Sequence, residues 1–299
     1  MPVVGYLSGA GVQPDPIAVA PFRKGLNDMG YVEGRNVAIE FRATDQYDRL
    51  PALAAELVRR QVAVLFADGP ANSARTAMAA TATIPIVFAT GGDPVSLGLV
   101  ASMNRPGGNA TGVTFFAGEL APKRLELLRE LVPKATTIAF LVNPNNARTV
   151  ADRSDMQAAA SGVGQQIIVL SASTASEIDA AFAILVEQRA GGLLINGDGF
   201  FNSRRDQLIA LAALHRIPSV HFSPQFTIAG GLMSYSDDRF ETWRQAGLYV
   251  GRILKGAKPA DLPVLQPTKF DFAINLKTAK ALGIEFPPSF HLRATEVIE

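Results

Sequence analysis

Short apolar segments rich in β-branched residues alternate with longer amphipathic stretches along the whole chain. The segments predicted as strands are residues 3–8, 37–42, 62–67, 84–89, 112–116, 137–142, 166–171, 192–196 and 217–222. Between them, stretches such as residues 50–60 and 178–188 place apolar side chains at helical spacing. Strands that alternate with helices of this length are typical of parallel sheets covered by helices on both faces. The order therefore predicts an α/β fold.

The same order of elements occurs twice. Residues 37–88 run strand, helix, strand, helix, strand, and residues 166–222 repeat that order. The middle strand ends in Asp68-Gly69 in the first copy and in Asp198-Gly199 in the second. Two copies of one α/β half predict two similar, doubly wound lobes, each with its own parallel sheet. The Pro- and Gly-rich residues 104–112 lie between the copies and mark the lobe junction.

Charge and cysteine content exclude several classes of function. The 28 Lys and Arg residues balance 27 Asp and Glu residues, whereas a general nucleic-acid binder shows a basic excess or stripe. The chain contains no cysteine, which excludes disulfides, iron–sulfur clusters, thiolate zinc sites and cysteine nucleophiles. No uninterrupted apolar run has the length of a membrane span. No signal-peptide pattern precedes the first strand, so a cytosolic protein and a protein with a trimmed signal peptide both fit.

The common catalytic and cofactor motifs are incomplete. Residues 9–11, Gly-Ala-Gly, begin a dinucleotide fingerprint, but Pro14 stands where its third glycine is required. Neither a phosphate-binding G-x-x-x-x-G-K-[ST] loop nor a G-x-S-x-G nucleophile elbow occurs. The three histidines, His215, His221 and His291, lack the spacing of a metal site. We therefore predict a binding protein with no catalytic residues, no metal and no cofactor.

Ligands of open α/β sheets bind at the carboxyl ends of the strands, where helix N-termini and loop amides converge. Candidate ligand-binding residues at these positions are Ser8, Gly9, Gly69, Asn72, Ser73, Thr90, Gly91 and Asp93 in the first copy and Asn143, Asn145 and Asp198 in the second. We predict that Asn72 and Ser73, with nearby loop amides, hold a carboxylate. Asp93 and Asp198 are predicted to hold an ammonium. Helix N-capping by the polar residues (Ser203 included) and tight turns at the glycines are the alternatives.

Two pairs of adjacent phenylalanines are candidates for stacking on a flat apolar ligand. Phe115 and Phe116 lie at the predicted lobe junction, and Phe200 and Phe201 follow a strand of the second copy. Because side chains alternate between the faces of a strand, one ring of each pair is expected to leave the core. Tyr235 is a further candidate at the mouth of the cleft. In the alternative, all four phenylalanines are core and a small polar cavity takes a compact ligand.

Several segments resemble the tryptophan/tyrosine-type substrate-binding family of bacterial ABC importers. The most specific are residues 30–36, Gly-Tyr-Val-Glu-Gly-Arg-Asn, and residues 104–109, Asn-Arg-Pro-Gly-Gly-Asn. The resemblance covers essentially the whole chain, because it extends to residues 2–8, 53–60, 84–88, 91–95, 124–132, 230–235 and 246–256.

This resemblance implies a type I periplasmic-binding-protein fold, in which two lobes joined by three crossing strands close on a ligand. The implied crossings lie near residues 111–116, 226–232 and 255–268. The first lobe would then comprise residues 1–112 and about 231–262, and the second residues 113–230 and about 263–299.

The resemblance also implies a periplasmic protein that delivers an aromatic amino acid, or a related aromatic or carboxylate compound, to a membrane permease driven by an ATPase. We expect a monomer that meets the membrane only through the permease and does not bind nucleic acid. Family members carry a signal peptide or lipobox ahead of the first strand, so we expect that this segment has been removed here.

Two other classes of function stay open. The same fold serves ligand-sensing domains of receptors and regulators, although no helix-turn-helix precedes the first strand of this sequence. An enzyme is disfavoured by the incomplete catalytic motifs.

Overall fold

Strands and helices alternate throughout the computed structural model, which describes residues 1–13, 15–115 and 120–299. The strands are β1 (Val3–Ser8), β2 (Ala38–Ala43), β3 (Val64–Gly69), β4 (Ile86–Thr90), β5 (Ala110–Thr114), β6 (Thr137–Val142), β7 (Gln166–Ser171), β8 (Leu193–Ile195), β9 (Ser219–His221), β10 (Met233–Asp237), β11 (Phe270–Asn275) and β12 (Glu296–Ile298). The helices are α1 (Pro16–Asp28), α2 (Leu50–Arg59), α3 (Ala71–Ala80), α4 (Ala121–Leu131), α5 (Thr149–Gly162), α6 (Ala175–Glu187), α7 (Gly199–Ser203), α8 (Arg205–Leu214), α9 (Pro224–Ile228), α10 (Arg239–Leu254), α11 (Leu276–Leu282) and α12 (Pro288–Arg293). The predicted α/β fold is confirmed, and each predicted strand lies within two residues of an observed one.

The chain forms two compact units, each made of two separate segments. The first unit comprises residues 1–116 and 237–268, and the second comprises residues 117–236 and 269–299. The chain therefore passes from one unit to the other three times. The observed boundaries lie a few residues after those that the resemblance implied at 112, 230 and 262.

The first unit contains a five-stranded sheet in the order β2-β1-β3-β4-β5. Its strands are parallel, so the carboxyl ends of β1, β3 and β4 lie at one edge, with Ser8 opposite Asp68 and Gly69 opposite Thr90. Side chains alternate between the two faces. One face packs against α2 and α3 in a single apolar cluster, whereas the rings of Tyr6 and Phe66 on the other face pack on Phe22 of α1.

Helices α1 and α10 of the first unit approach each other closely at two glycines. A Cβ atom at Gly25 would lie 2.0 Å from the carbonyl oxygen of Arg244, and one at Gly247 would lie 2.2 Å from that of Phe22. Any larger residue would force the two backbones apart, because real Cβ atoms do not come so close. The contact holds α10, which belongs to the later segment, directly on the earlier one.

The second unit contains a seven-stranded sheet in the order β12-β11-β10-β9-β8-β6-β7. The strands β7-β6-β8-β9-β10 repeat the order β2-β1-β3-β4-β5 of the first unit, and β11 and β12 extend the sheet at one edge. The repeat in the sequence is therefore a repeat in sheet topology. Two apolar clusters, around Phe140 on one face and Phe182 on the other, cover this sheet.

Local signals explain where several helices begin. Helix α1 starts at Pro16, and the preceding Asp15 caps it by accepting a hydrogen bond from the amide of Ile17. Helix α6 starts with a capping box, in which Thr174 and Glu177 each bond the backbone of the other.

Candidate ligand-binding site

The carboxyl ends of β1 and β3 in the first unit meet at a buried carboxylate, Asp68. Its Oδ2 atom accepts hydrogen bonds from the hydroxyls of Tyr6 (2.9 Å) and Ser8 (3.3 Å), and its Oδ1 atom accepts one from Nε1 of Trp243 (2.7 Å). Asp68 is 2% exposed, and burial raises the pKa of its carboxyl above the usual value, while the three donors act in the opposite direction. Trp243 lies on α10, so its bond joins the two segments of the first unit.

The turn after β1 is fixed by its neighbours. The amide of Ala10 donates to Ser8 Oγ (3.2 Å), and the amide of Gly9 donates to Ser73 Oγ (3.0 Å). Gly69 has a φ of +97°, which favours glycine, and a Cβ atom there would lie 3.1 Å from the Cβ of Ala10. The structure thus brings four predicted site residues, Ser8, Gly9, Gly69 and Ser73, into one cluster.

Helix α3 begins at the carboxyl end of β3 and has no side-chain cap. Pro70 is the N-cap residue, so Asn72 and Ser73 lie in the first turn and the capping role considered for them does not occur. On the adjacent strand, Thr90 is fully buried, and its hydroxyl has no hydrogen-bond partner among the described residues. An uncapped helix N-terminus presents N–H groups and positive potential, which suit an anionic group.

Asp93 follows the two buried glycines Gly91 and Gly92 after β4. Its carboxylate accepts hydrogen bonds from the amides of Val95 (3.0 Å) and Ser96 (3.3 Å), which caps the next turn of the chain. The capping alternative therefore describes Asp93, which is half-buried and so remains accessible to a ligand as well.

In the second unit, the carboxyl ends of β6 and β8 meet at Asp198, which is 5% exposed. Its Oδ1 atom accepts from Asn143 Nδ2 (2.9 Å) and the amide of Phe200 (2.9 Å), and its Oδ2 atom accepts from Asn146 Nδ2 (2.7 Å). Asn143 Oδ1 in turn accepts from the amide of Asn145 (3.0 Å), whose side chain is exposed. The loop after β6 is thus bonded to the loop after β8.

A second carboxylate, Asp152 on α5, extends this polar cluster. Its Oδ1 atom pairs with the guanidinium of Arg148 (2.9 Å), and its Oδ2 atom accepts from Asn196 Nδ2 (2.8 Å). Asn146 Oδ1 accepts from the amide of Arg148 (3.0 Å). Asn146 belongs to the polar residues that the sequence places after β6, whereas sequence reasoning missed Asp152 on the helix that follows.

The ring of Phe115 is buried in the first unit beneath a cation. The guanidinium carbon of Arg239 lies 4.4 Å from the centre of that ring and 5.8 Å from the centre of Trp243. Nε of Arg239 lies 3.0 Å from Oδ1 of the buried Asp237. Asp237, Arg239 and Trp243 were not predicted as site residues, although Trp243 is the only tryptophan in the chain. Phe116 lies outside the described residues.

Phe200 and Phe201 both lie in the core of the second unit, 4% and 0% exposed. The expectation that one ring leaves the core is not met, because it assumed a strand, whereas residues 199–203 form the short helix α7. Ser203 ends that helix, and its hydroxyl donates to the carbonyl of Phe200 (2.8 Å) rather than capping α8. Tyr235 is half-buried on β10, where its ring lies parallel to that of Phe270 with the centres 6.1 Å apart.

Two buried basic groups lie behind the site of the second unit. His221 on β9 is fully buried, its ring stacks on Phe226 at 4.6 Å, and its Nε2 atom lies 3.0 Å from Ser219 Oγ. Burial, with a further contribution from the charge of Arg124, lowers the pKa of His221 to about 3, so this histidine is neutral. Arg124 is also buried, and its Nε donates to the carbonyl of Tyr235 (2.7 Å). His221 therefore lies in the interior of the second unit, where it has a structural role.

Within residues 1–13, 15–115 and 120–299, no group of three or more His, Asp or Glu side chains is placed to hold a metal ion. In the same described part of the chain, no helix combines the length and the apolar character that crossing a membrane requires.

Comparison with known protein families shows which family the chain belongs to. The family model for ABC transporter substrate-binding proteins matches residues 15–298. The chain belongs to this family. It is the substrate-binding component of an ABC transporter and binds a small molecule outside the cytoplasm. It is not an enzyme. The family resemblance and the absence of enzymatic activity inferred from the sequence are confirmed.

Individual relatives agree with this assignment. A tyrosine-binding protein of Clostridioides difficile is 28% identical over 265 residues, which is 88% of this chain and 76% of that protein. A conserved domain protein from Vibrio cholerae is 26% identical and superposes with a TM-score of 0.90 over 99% of both chains. An ABC domain from Streptococcus pneumoniae, crystallised with L-Trp, is 24% identical with a TM-score of 0.86 over 99% of both chains. These structures share the type I periplasmic-binding-protein fold expected for this chain.

Proposed function

We propose that this substrate-binding protein takes an aromatic amino acid, or a related aromatic compound that carries a carboxylate, and delivers it to the permease of its transporter. The name of the tyrosine-binding relative supports the aromatic part of this ligand class. The carboxylate part is supported by the chemistry of the first unit.

The observation that carries the proposal is the uncapped N-terminus of α3 beside Thr90. A ligand carboxylate there would accept hydrogen bonds at the first turn of α3, near Asn72, and from the Thr90 hydroxyl, which has no partner within the described ranges. The amide of Ser73 already donates to the carbonyl of Pro70 (2.9 Å). Gly69 and Gly91 lack side chains that would obstruct such an approach. Helix N-termini of this kind are established anion sites in proteins.

The remaining contacts are proposed from the polar edges of both sheets. We propose Asp93 for the ammonium of an amino-acid ligand, because its half-buried carboxylate lies next to the same loop. Asn143 and Asn145 are proposed contacts from the second unit, and Phe115 and Tyr235 are proposed contacts for the ligand ring. A ligand that touches both units favours the arrangement in which it makes all its contacts. We therefore expect small-angle scattering to show compaction at saturating ligand, and an unchanged radius with a tightly bound ligand would contradict closure.

The proposed cellular context follows from the family. We propose a periplasmic monomer whose partners are the permease and ATPase subunits of one importer, without nucleic-acid binding.

Calorimetric titration with three related compounds tests the ligand class. L-tyrosine carries both charged groups, tyramine lacks the carboxylate, and 3-(4-hydroxyphenyl)propionate lacks the ammonium. Charge-assisted hydrogen bonds contribute about 1.5–3 kcal/mol each, so we expect tyramine to bind at least about tenfold more weakly than L-tyrosine. Equal affinities for L-tyrosine and tyramine would show that no carboxylate site operates.

A pair of matched variants tests the position of the carboxylate. Thr90→Val removes a buried hydroxyl that has no partner among the described residues, so we expect an unchanged melting temperature and weaker binding of L-tyrosine. Ser234→Ala is the control, because it removes a hydroxyl in the same condition from β10 of the second unit. Unchanged affinity in Thr90→Val would remove Thr90 from the site.

A further inference from the structure

Asp68 and Asp198 are buried carboxylates near the carboxyl end of the third strand of their units. Asp68 is the next-to-last residue of β3, whereas Asp198 lies beyond the end of β8 as the N-cap of α7, so the two are not equivalent in register. Each is buried, and each accepts a hydrogen bond from the side chain at the end of its unit's first strand, which is Ser8 in one case and Asn143 in the other. Each unit therefore has one buried carboxylate at this edge of its sheet.

Each carboxylate already accepts three hydrogen bonds from its own unit, and these bonds hold the loop that follows the first strand. Through Ser8, Asp68 fixes the hydroxyl that binds the amide of Ala10. Through Asn143 and Asn146, Asp198 fixes the two side-chain oxygens that bind the amides of Asn145 and Arg148. The oxygens of both acids thus face inward onto protein donors.

We infer that Asp68 and Asp198 are positioning residues, each of which holds a ligand-contacting loop of its own unit in place and does not itself pair with the ligand. This inference rests on the proposed function in taking the loop after β6 as a ligand contact, and on the sequence prediction of Ser8 and Gly9 as ligand-binding residues for the loop after β1. It replaces the ammonium role that the sequence alone suggested for Asp198.

The donors to the two carboxylates differ in chemistry, so Asp68 and Asp198 should respond differently to replacement by asparagine. In the first unit, two of the donors to Asp68 are hydroxyls, which can rotate and accept a hydrogen bond instead. An asparagine at this position could therefore keep its oxygen on Trp243 and turn its amide group toward Tyr6 and Ser8. In the second unit, the donors to Asp198 are two amide groups and a backbone N–H, of which Asn143 and the Phe200 amide share Oδ1. The side-chain NH2 group of an asparagine at position 198 would face the side-chain NH2 group of Asn146. Two donors would then oppose each other, and the hydrogen bond would be lost.

An exchange of side chains restores the lost hydrogen bond. In the double variant Asp198→Asn/Asn146→Asp, the new Asp accepts from the new Asn, and its second oxygen can still accept from the amide of Arg148. Every hydrogen bond of the original pair is then possible, and the net charge is unchanged, but the negative charge has moved to the next loop. The double variant therefore distinguishes a positioning role from an ion pair with the ligand.

The test measures amide hydrogen exchange of residues 143–149 and the affinity for L-tyrosine, L-tryptophan and 3-(4-hydroxyphenyl)propionate. For Asp198→Asn we expect exchange of the Arg148 amide at least about tenfold faster and weaker binding of all three probes, with both effects reversed in the double variant. For Asp68→Asn we expect Trp243 fluorescence close to that of the unsubstituted protein, and for Asp68→Ala a shifted emission.

Two results would overturn the inference. One is unchanged exchange of residues 143–149 in Asp198→Asn. The other is a loss of affinity confined to the two amino acids, unreversed in the double variant, which would make Asp198 the partner of the ammonium. If the unsubstituted protein binds none of the three probes, the proposed ligand class is wrong, and the exchange data still decide the positioning role.

Discussion

The neutral, buried His221 makes the stability of this protein depend on pH. Its pKa is about 3 in the folded chain, against about 6.5 in an unfolded one. Between these values the unfolded state binds a proton that the folded state does not, so the stabilisation is complete above pH 6.5 and is lost as the pH falls toward 3. One pKa unit corresponds to about 1.36 kcal/mol. We therefore expect the free energy of unfolding to fall by roughly 2 kcal/mol between pH 7 and pH 5 from this residue, and by about 4 kcal/mol by pH 3.

Urea unfolding followed by far-ultraviolet circular dichroism at pH 7 and pH 5 measures this effect. The comparison is with His221→Gln, which retains a side-chain amide that can reach Ser219 but cannot take up a proton. The difference between the two pH values should be smaller in His221→Gln by roughly 2 kcal/mol, since all other titrating groups are shared. The reasoning is refuted if both proteins show the same pH dependence, or if the ring resonances of His221 titrate near pH 6.5.

Further predictions concern packing and hydrogen bonds that each depend on one side chain. Gly112→Ala would place a Cβ atom 2.0 Å from the carbonyl oxygen of Phe88. We therefore expect thermal unfolding to show that the free energy of unfolding falls by at least about 1–3 kcal/mol. Gly108→Ala is the control and should be close to neutral, because a Cβ atom there meets nothing within 4 Å. Trp243→Phe removes a donor from the buried Asp68 and should cost about 1–3 kcal/mol by chemical denaturation; unchanged stability would show that this bond is unimportant. Asn36→Ala removes two side-chain hydrogen bonds that close the turn of residues 30–36, one with the amide of Val32 and one with the carbonyl of Gly30. We expect the free energy of unfolding to fall by about 1–2 kcal/mol. Substitution of the exposed neighbour, Arg35→Ala, serves as the control.

The layout of both sheets could be predicted because it depends on short-range patterns. Runs of apolar residues mark buried strands, and the repeated order of elements marks two units. Strands β10 and β12 were not predicted, because β10 contains the polar sequence Met-Ser-Tyr-Ser-Asp and β12 has only three residues, two of them exposed. Strand β11, which is mainly apolar, was missed as well.

The candidate site was only partly predictable, since its closest contacts join residues far apart in the sequence. The bond from Trp243 to Asp68 spans 175 positions, and no local pattern indicates that α10 lies behind β3. Arg124 occupies a helix whose sequence suggests an exposed cation, yet it is 2% exposed because its guanidinium reaches the carbonyl of Tyr235 on β10. For Phe200 and Phe201, the error was the type of element, and with it the direction of the rings.

The discontinuous units have a consequence for biosynthesis. The segment 1–116 cannot complete its fold until α10 has been translated, because the donor to Asp68 and the surface that covers α1 both lie on that helix. Ribosomes add about 5–20 residues per second, so the interval is on the order of ten seconds. During this time the first unit of the nascent chain is incompletely folded. For a protein whose family works outside the cytoplasm, we expect this delay to favour export of the chain before its first unit has folded.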